Sequence, residues 1–185
     1  MINKINSEIL RSRRTTYPRY FNGDRIKDSV VTEILENANY APSHRMTQPW
    51  FFKIFCDDKK KNLAEAIVSI KPNTSFEKKI YDNFEKTSHI ICVCMKRHEP
   101  IVPEWEEIAA TAMSVQNIWL SIVNSRIGGY WSTPKYTSNL DNFLKLKDNE
   151  RCLGFFYLGI VKSFEPRNVS RSSVSEKVSW GEFDD

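Results

Sequence analysis

Residues 104–132 read EWEEIAATAMSVQNIWLSIVNSRIGGYWS, and this stretch organises the reading of the whole chain. From Glu104 to Arg126 it carries the longest helical pattern, with Ile108, Ala112, Val115, Trp119, Ile122 and Val123 recurring at a spacing that places them on one broad stripe. The small residues Ala109, Ala110, Ser114 and Ser121 lie beside that stripe and allow close approach of another helix, as a central or subunit-bridging helix requires. Glu106 and Glu107 read as surface or cap charges. Gly128-Gly129 reads as a helix stop that turns at once into a short strand through Tyr130 and Trp131.

Working outward, Ser88 to Met95 alternates Ile90, Cys92 and Cys94 with Ile91, Val93 and Met95, so both faces are apolar and a strand covered on both sides is predicted. Cys152 to Val161 is a second strongly apolar strand, and aromatic, β-branched Trp50 to Cys56 is a third. Helices are predicted over Asp28 to Ala38, with Asp28 as N-cap, and over Asn62 to Ile70 and Phe76 to Lys86, with a short one at the start carrying Ile5, Ile9 and Leu10. Pro42 and Pro49 frame an ordered loop between the second helix and the first strand. After Lys162 the chain turns polar. Residues 163–185 hold Val169, Val174, Val178, Trp180 and Phe183, too few for a core of their own, and read as a tail wrapping over its own body or a partner's. A chain of 185 residues suits one domain, residues 1–185, and shows no internal repeat.

Composition narrows the function. With 41% hydrophobic residues the chain can offset its ordering entropy by burial. The net charge of +4 comes from scattered bases; the longest run, Lys59-Lys60-Lys61, is bounded by Asp57 and Asp58 and reads as a solvated helix start rather than a nucleic-acid patch. No apolar run approaches a membrane span, and residues 1–8 lack the basic-then-apolar pattern of a secretory signal, so a cytoplasmic protein is expected. The four cysteines sit in apolar runs, as small hydrophobes in a reducing compartment. Cys92, Cys94 and His98 lack the spacing of a metal knuckle, and no metal site is expected.

Three segments could carry chemistry. Arg13-Arg14-Thr15 offers two guanidiniums and a hydroxyl suited to a phosphate and a carbonyl-rich ring, though a solvated helix end looks the same. Pro42-Ser43-His44 with Gln48 offers backbone donors, an imidazole and an amide that match a planar heterocycle, or an ordinary loop. Gly128-Gly129 permits close approach to a flat ligand, and Trp131-Ser132-Thr133 can supply an apolar wall with hydroxyl donors; the alternative is a glycine cap before a core strand.

Taken in order, these segments resemble the nitroreductase family. Arg13-Arg14-Thr15 resembles its Arg-Arg-Ser/Thr opening, and Ala41-Pro42-Ser43-His44 followed by Gln48-Pro49-Trp50 resembles its Ala-Pro-x-His and Gln-Pro-Trp loop. The long helix running into Gly128-Gly129-Tyr130-Trp131, and Gly154-Phe155-Phe156-Tyr157-Leu158-Gly159, resemble its central helix and late strand. The match covers residues 7–162. The resemblance implies an α+β fold with a central, mainly antiparallel sheet flanked by helices, dimerised through the long helix, with FMN held between the subunits. It implies cofactor contacts from Arg13, Arg14, Thr15, Pro42, Ser43, His44, Gln48, Trp131, Ser132 and Thr133, and a substrate face at Gly128 and Gly129. The compact length and the Trp-Ser pair look most like the small branch of the family, where nicotinamide and substrate share one open flavin face. Arg19 falls where the pattern differs, and Arg171 in Ser170-Arg171-Ser172-Ser173 matches a basic tail only loosely.

The activity so implied is transfer of a hydride from NADH or NADPH to flavin, then to a nitroaromatic, quinone or similar small acceptor, in a ping-pong cycle. No protein side chain need act as the catalytic group, since the flavin carries the chemistry. The competing reading is a flavin-binding protein that stores or senses the cofactor without turnover. No G-x-G-x-x-G fingerprint distinguishes the two nicotinamides.

Overall fold

In the computed structural model, residues 3–162 and 169–181 are described. Ten helices and strands follow one another as α1 (Lys4–Ser12), α2 (Asp28–Ala38), β1 (Trp50–Cys56), α3 (Lys59–Ile70), α4 (Thr74–Lys86), β2 (His89–Lys96), α5 (Glu104–Ser121), β3 (Ile127–Ser132), α6 (Asp141–Leu144) and β4 (Glu150–Ile160), with short 3-10 turns between some of them. The strands form one sheet in the order β1-β2-β4-β3, and every neighbouring pair is antiparallel.

Alternation along the two central strands builds a core on each face. Ile90, Cys92 and Cys94 of β2, with Phe155 and Tyr157 of β4, face Leu63 and Ile67 of α3 and Ile80 and Phe84 of α4. Ile91 and Val93, with Phe156 and Leu158, face Val31 and Ile34 of α2 and Val115 and Ile118 of α5. This is the α+β architecture implied above, and the reading of Ser88–Met95 as doubly covered holds residue by residue.

Several local expectations are corrected. The long helix ends at Ser121, not Arg126, with Asn124 taking a left-handed φ of 60° in the turn beyond it. Gly128 and Gly129 therefore lie inside β3 instead of stopping a helix. Their small size is needed there: a Cβ on Gly129 would come within 2.6 Å of Phe156 Cζ, and one on Gly128 within 2.8 Å of Phe21 Cε1. The helix is also rotated relative to the predicted stripe. Glu107, Ala110, Thr111, Ser114, Val115 and Ile118 are buried, whereas Ile108 is exposed. The cause is Glu107, read above as a surface charge. Its carboxylate, 1% exposed, accepts from Arg97 Nη1 at 2.8 Å and lies 2.6 Å from His98 Nδ1, so a charged residue takes a core position.

Asp28 is not the N-cap of α2. Lys27 occupies that position without a side-chain cap, and the Asp28 carboxylate turns to Arg25 and His89. Lys60 is half-buried rather than solvated, its ammonium donating to the Phe84 carbonyl at 2.9 Å. Of the tail, residues 163–168 and 182–185, including Phe183, lie outside the described residues. In the part between, Ser173 and Glu176 close a capping box around a short turn, and Val174 and Trp180 are exposed.

Candidate functional site

The segment after α1 runs beside β3. Thr16 N–H donates to the Gly129 carbonyl at 2.9 Å, and Trp119 Nε1, reaching from α5, donates to the same oxygen at 3.2 Å. That shared acceptor ties together three pieces far apart in sequence. Around it opens a cavity of about 460 Å³ whose walls include Arg14, Thr15, Trp119, Arg126, Gly128 and Gly129 and no acidic residue. Arg13 stacks on the Trp119 ring, its guanidinium carbon 5.0 Å from the ring centroid. The pKa of Arg13 is lowered, first by burial and then by the like charges of Arg171 and Arg14, so those two guanidiniums are near enough to repel its charge. Arginine ion pairs among the described residues fall to Arg25, Arg97 and Arg151. Arg13, Arg14, Arg126 and Arg171 are thus left without a carboxylate there. Such a cluster is electrostatically unfavourable by itself and becomes favourable beside a dianion.

A second cleft, about 490 Å³ and open, lies against the outer face of α5. Pro42, Ser43 and His44 line one side; Trp105, Glu106, Ala109 and Met113 line the other. Three non-glycine residues of this loop, Arg45, Met46 and Gln48, take left-handed backbone with φ between 43° and 54°. Conformations of this kind persist only where surroundings enforce them, and they gather at binding sites. Enforcement comes from Gln48 N–H, which donates to Ser43 Oγ at 3.1 Å, and from Trp50 Nε1, which donates to Asn39 Oδ1 at 3.1 Å. His44 Nδ1 lies 2.6 Å from Glu106 Oε2, in the first turn of α5, where the helix dipole favours a carboxylate.

The structure thus brings Arg13, Arg14 and Thr15 together with Gly128 and Gly129, and separately brings Pro42, Ser43 and His44 together with α5. Gln48 supports the loop through its backbone and lies outside both linings. Trp131, Ser132 and Thr133 also line neither space within one subunit. The indole nitrogen of Trp131 is buried and has no hydrogen-bond partner among the described residues. Arg19 stacks on Tyr20 at 4.8 Å and donates to its hydroxyl at 2.9 Å. Two neighbours of these residues lie outside the sequence-derived set: Glu106, which meets His44 and whose only signal was its place at a helix start, and Arg171, whose charge acts on Arg13 and whose only signal was the loose match to a basic tail.

An antiparallel sheet with helices on both faces, bearing an acid-free cavity lined by Arg14 and Arg126 on one flank and an open cleft along its longest helix, defines an α+β protein. The chain belongs to the nitroreductase family, whose model matches residues 10–160. YfhC of Bacillus subtilis (strain 168), which carries the name of an NAD(P)H nitroreductase, is 30% identical over 163 residues, covering 82% of each chain. Among solved structures, a nitroreductase-like family protein from Bacillus cereus superposes with a TM-score of 0.86 over 97% of both chains, at 23% identity. A structure from Desulfovibrio desulfuricans, described as a nitroreductase in complex with FMN, superposes with a TM-score of 0.75 over the full length of both at 21% identity.

Proposed function

We propose that this chain is an NAD(P)H-dependent oxidoreductase that holds FMN noncovalently between two subunits and reduces small electrophilic acceptors such as nitroaromatics and quinones. The observation that carries the reading is that Arg14 lines a cavity free of acids and Arg13 stacks on its Trp119 wall, neither with a carboxylate among the described residues, while the charge of Arg171 also acts on Arg13. A phosphate monoester answers that charge with short, charge-assisted hydrogen bonds, and Thr15 adds a hydroxyl beside it.

Pairing of two subunits through the outer face of α5, where Trp105, Ile108 and Met113 are exposed, would bring the His44 cleft of one subunit to the arginine cavity of the other. FMN held there would supply the hydride-transfer chemistry between nicotinamide and acceptor, and the residues around it would offer both substrates one face in turn. In this reading Arg13, Arg14 and Thr15 anchor the phosphate and ribityl end. Pro42, Ser43 and His44 meet the ring from the partner, with Glu106 orienting the imidazole; Trp131, Ser132 and Thr133 close the far side. Gly128 and Gly129 leave room beside them.

Titration of the protein with FMN, followed by anaerobic addition of NADH or NADPH, tests the assignment: a saturable yellow complex that bleaches on reduction is expected. A complex that forms but does not bleach with either nicotinamide points to storage or sensing. A protein that takes up no flavin overturns the reading. Arg14→Ala is expected to weaken FMN binding by about 1.5 to 3 kcal/mol, the range for a hydrogen bond to a charged group.

A further inference from the structure

At the opposite end of α2 from the Pro42 loop, three side chains with metal-ligating atoms converge. Cys56, the last residue of β1, and His89, the first of β2, are direct partners across the antiparallel ladder. Asp28 opens α2 above them. One ligand atom from each lies within 4.8 Å of the other two, and His89 Nε2 is already 3.1 Å from Asp28 Oδ1. None of the three lines either cavity described above.

We propose that Asp28, Cys56 and His89 form a binding site for one zinc-class divalent cation, with the Arg25 guanidinium holding the same acceptors until the metal displaces it. The ligand set is the first reason. Thiolate, imidazole and carboxylate are the donors that zinc selects, and tetrahedral zinc with bonds of about 2.0 to 2.3 Å sets its ligands about 3.3 to 3.7 Å apart. The His89–Asp28 pair, at 3.1 Å, is already close to that spacing, and the other separations, 4.8 Å at most, would contract by about 1 Å. The ring of His89 is the second. It is buried, its Nδ1 lies 2.8 Å from Ser88 Oγ, and that oxygen accepts from Ile26 N–H at 2.7 Å. An outer contact to the second ring nitrogen is what fixes a metal-ligating imidazole in place.

Arg25 is the third reason, because a cation already sits where this set of acceptors calls for one. Its Nη2 pairs with Asp28 at 2.9 Å and reaches Cys56 Sγ at 3.7 Å, while its Nε pairs with both oxygens of Asp57 at 2.9 and 3.0 Å. Displacement therefore requires only the outer arm to swing off, with Asp57 retaining the guanidinium. Asp28 and Cys56 are reachable from solvent, which gives an ion a way in. On coordination the Cys56 thiol gives its proton to solvent, and the open fourth position is filled by water. The bound metal would tie the start of α2 to the β1–β2 ladder, so it adds to stability rather than to electron transfer.

Calorimetric titration of tag-free protein, as purified, with zinc chloride tests this, alongside thermal denaturation. One zinc per chain and a raised melting temperature are expected. Cys56→Ser and Asp28→Asn should each weaken binding at least about tenfold, Arg25→Gln should tighten it, and His44→Gln, which removes the imidazole beside Glu106, should leave it unchanged. Three results overturn the proposal: no stoichiometric binding at micromolar zinc, binding indifferent to both ligand substitutions, or binding abolished in His44→Gln. Weaker binding in Arg25→Gln would overturn the displacement.

Discussion

Gly129 shows how much one absent methyl group decides. Its carbonyl receives Thr16 N–H and the Trp119 indole, while its α-carbon lies against the Phe156 ring and Ile122. A Cβ there would meet Phe156 Cζ at 2.6 Å and Phe156 Cε1 at 2.7 Å, and Phe156 is fully buried with nowhere to retreat. Gly129→Ala is therefore expected to cost about 1 to 3 kcal/mol, the usual range for overpacking a close-packed core. Urea denaturation measures it, and an unchanged midpoint would show that the ring can shift. That a glycine pair stood here was plain in the sequence; that the protein's own phenylalanines demand it was not, because Phe21 and Phe156 are more than twenty residues away along the chain.

Helix α5 is set by a charge rather than by its apolar stripe. Glu107 is buried at its first turn, accepting from Arg97 and from the His98 backbone at 3.1 Å, and this locks the helix start to the end of β2. Without Glu107, Arg97 keeps only its outer partner Glu99, at 2.6 Å, and the inner side of the guanidinium and the His98 N–H lose their acceptor. Glu107→Ala should thus lower stability by about 1 to 3 kcal/mol, the range for buried groups left unsatisfied, measured by chemical denaturation, and Arg97→Met in the same chain should restore part of the loss. A Glu107→Ala protein as stable as the parent would remove the pair from this role. Periodicity placed the helix correctly and its rotation wrongly, since counting apolar residues assigns every glutamate to water. Its end was misplaced for a related reason: Ile122 and Val123 continue the apolar pattern past Ser121, where the helix has already ended, and Asn124 then turns the backbone left-handed.

For the whole molecule, the outer face of α5 is the feature left unanswered within one chain. Trp105 is 68% exposed, Ile108 41% and Met113 40%, at i, i+3 and i+8 along one side of the helix. If two subunits join there, Ile108→Glu should shift the protein toward monomer in size-exclusion chromatography with light scattering, and should lower FMN affinity together with it. Loss of the dimer with FMN binding intact would place the cofactor within one subunit. Sequence by itself determined the family, all four strands, every helix but the one-turn α6, and the doubly covered β2, because each rests on local periodicity or on contiguous residues. Tertiary structure alone decided that the charge of Arg171 acts on Arg13, that Glu106 meets His44, that Glu107 is core, and that Asp28, Cys56 and His89 share one corner. Those are distances between residues remote along the chain, which arise only when the sheet's register and the helices' rotation bring them side by side.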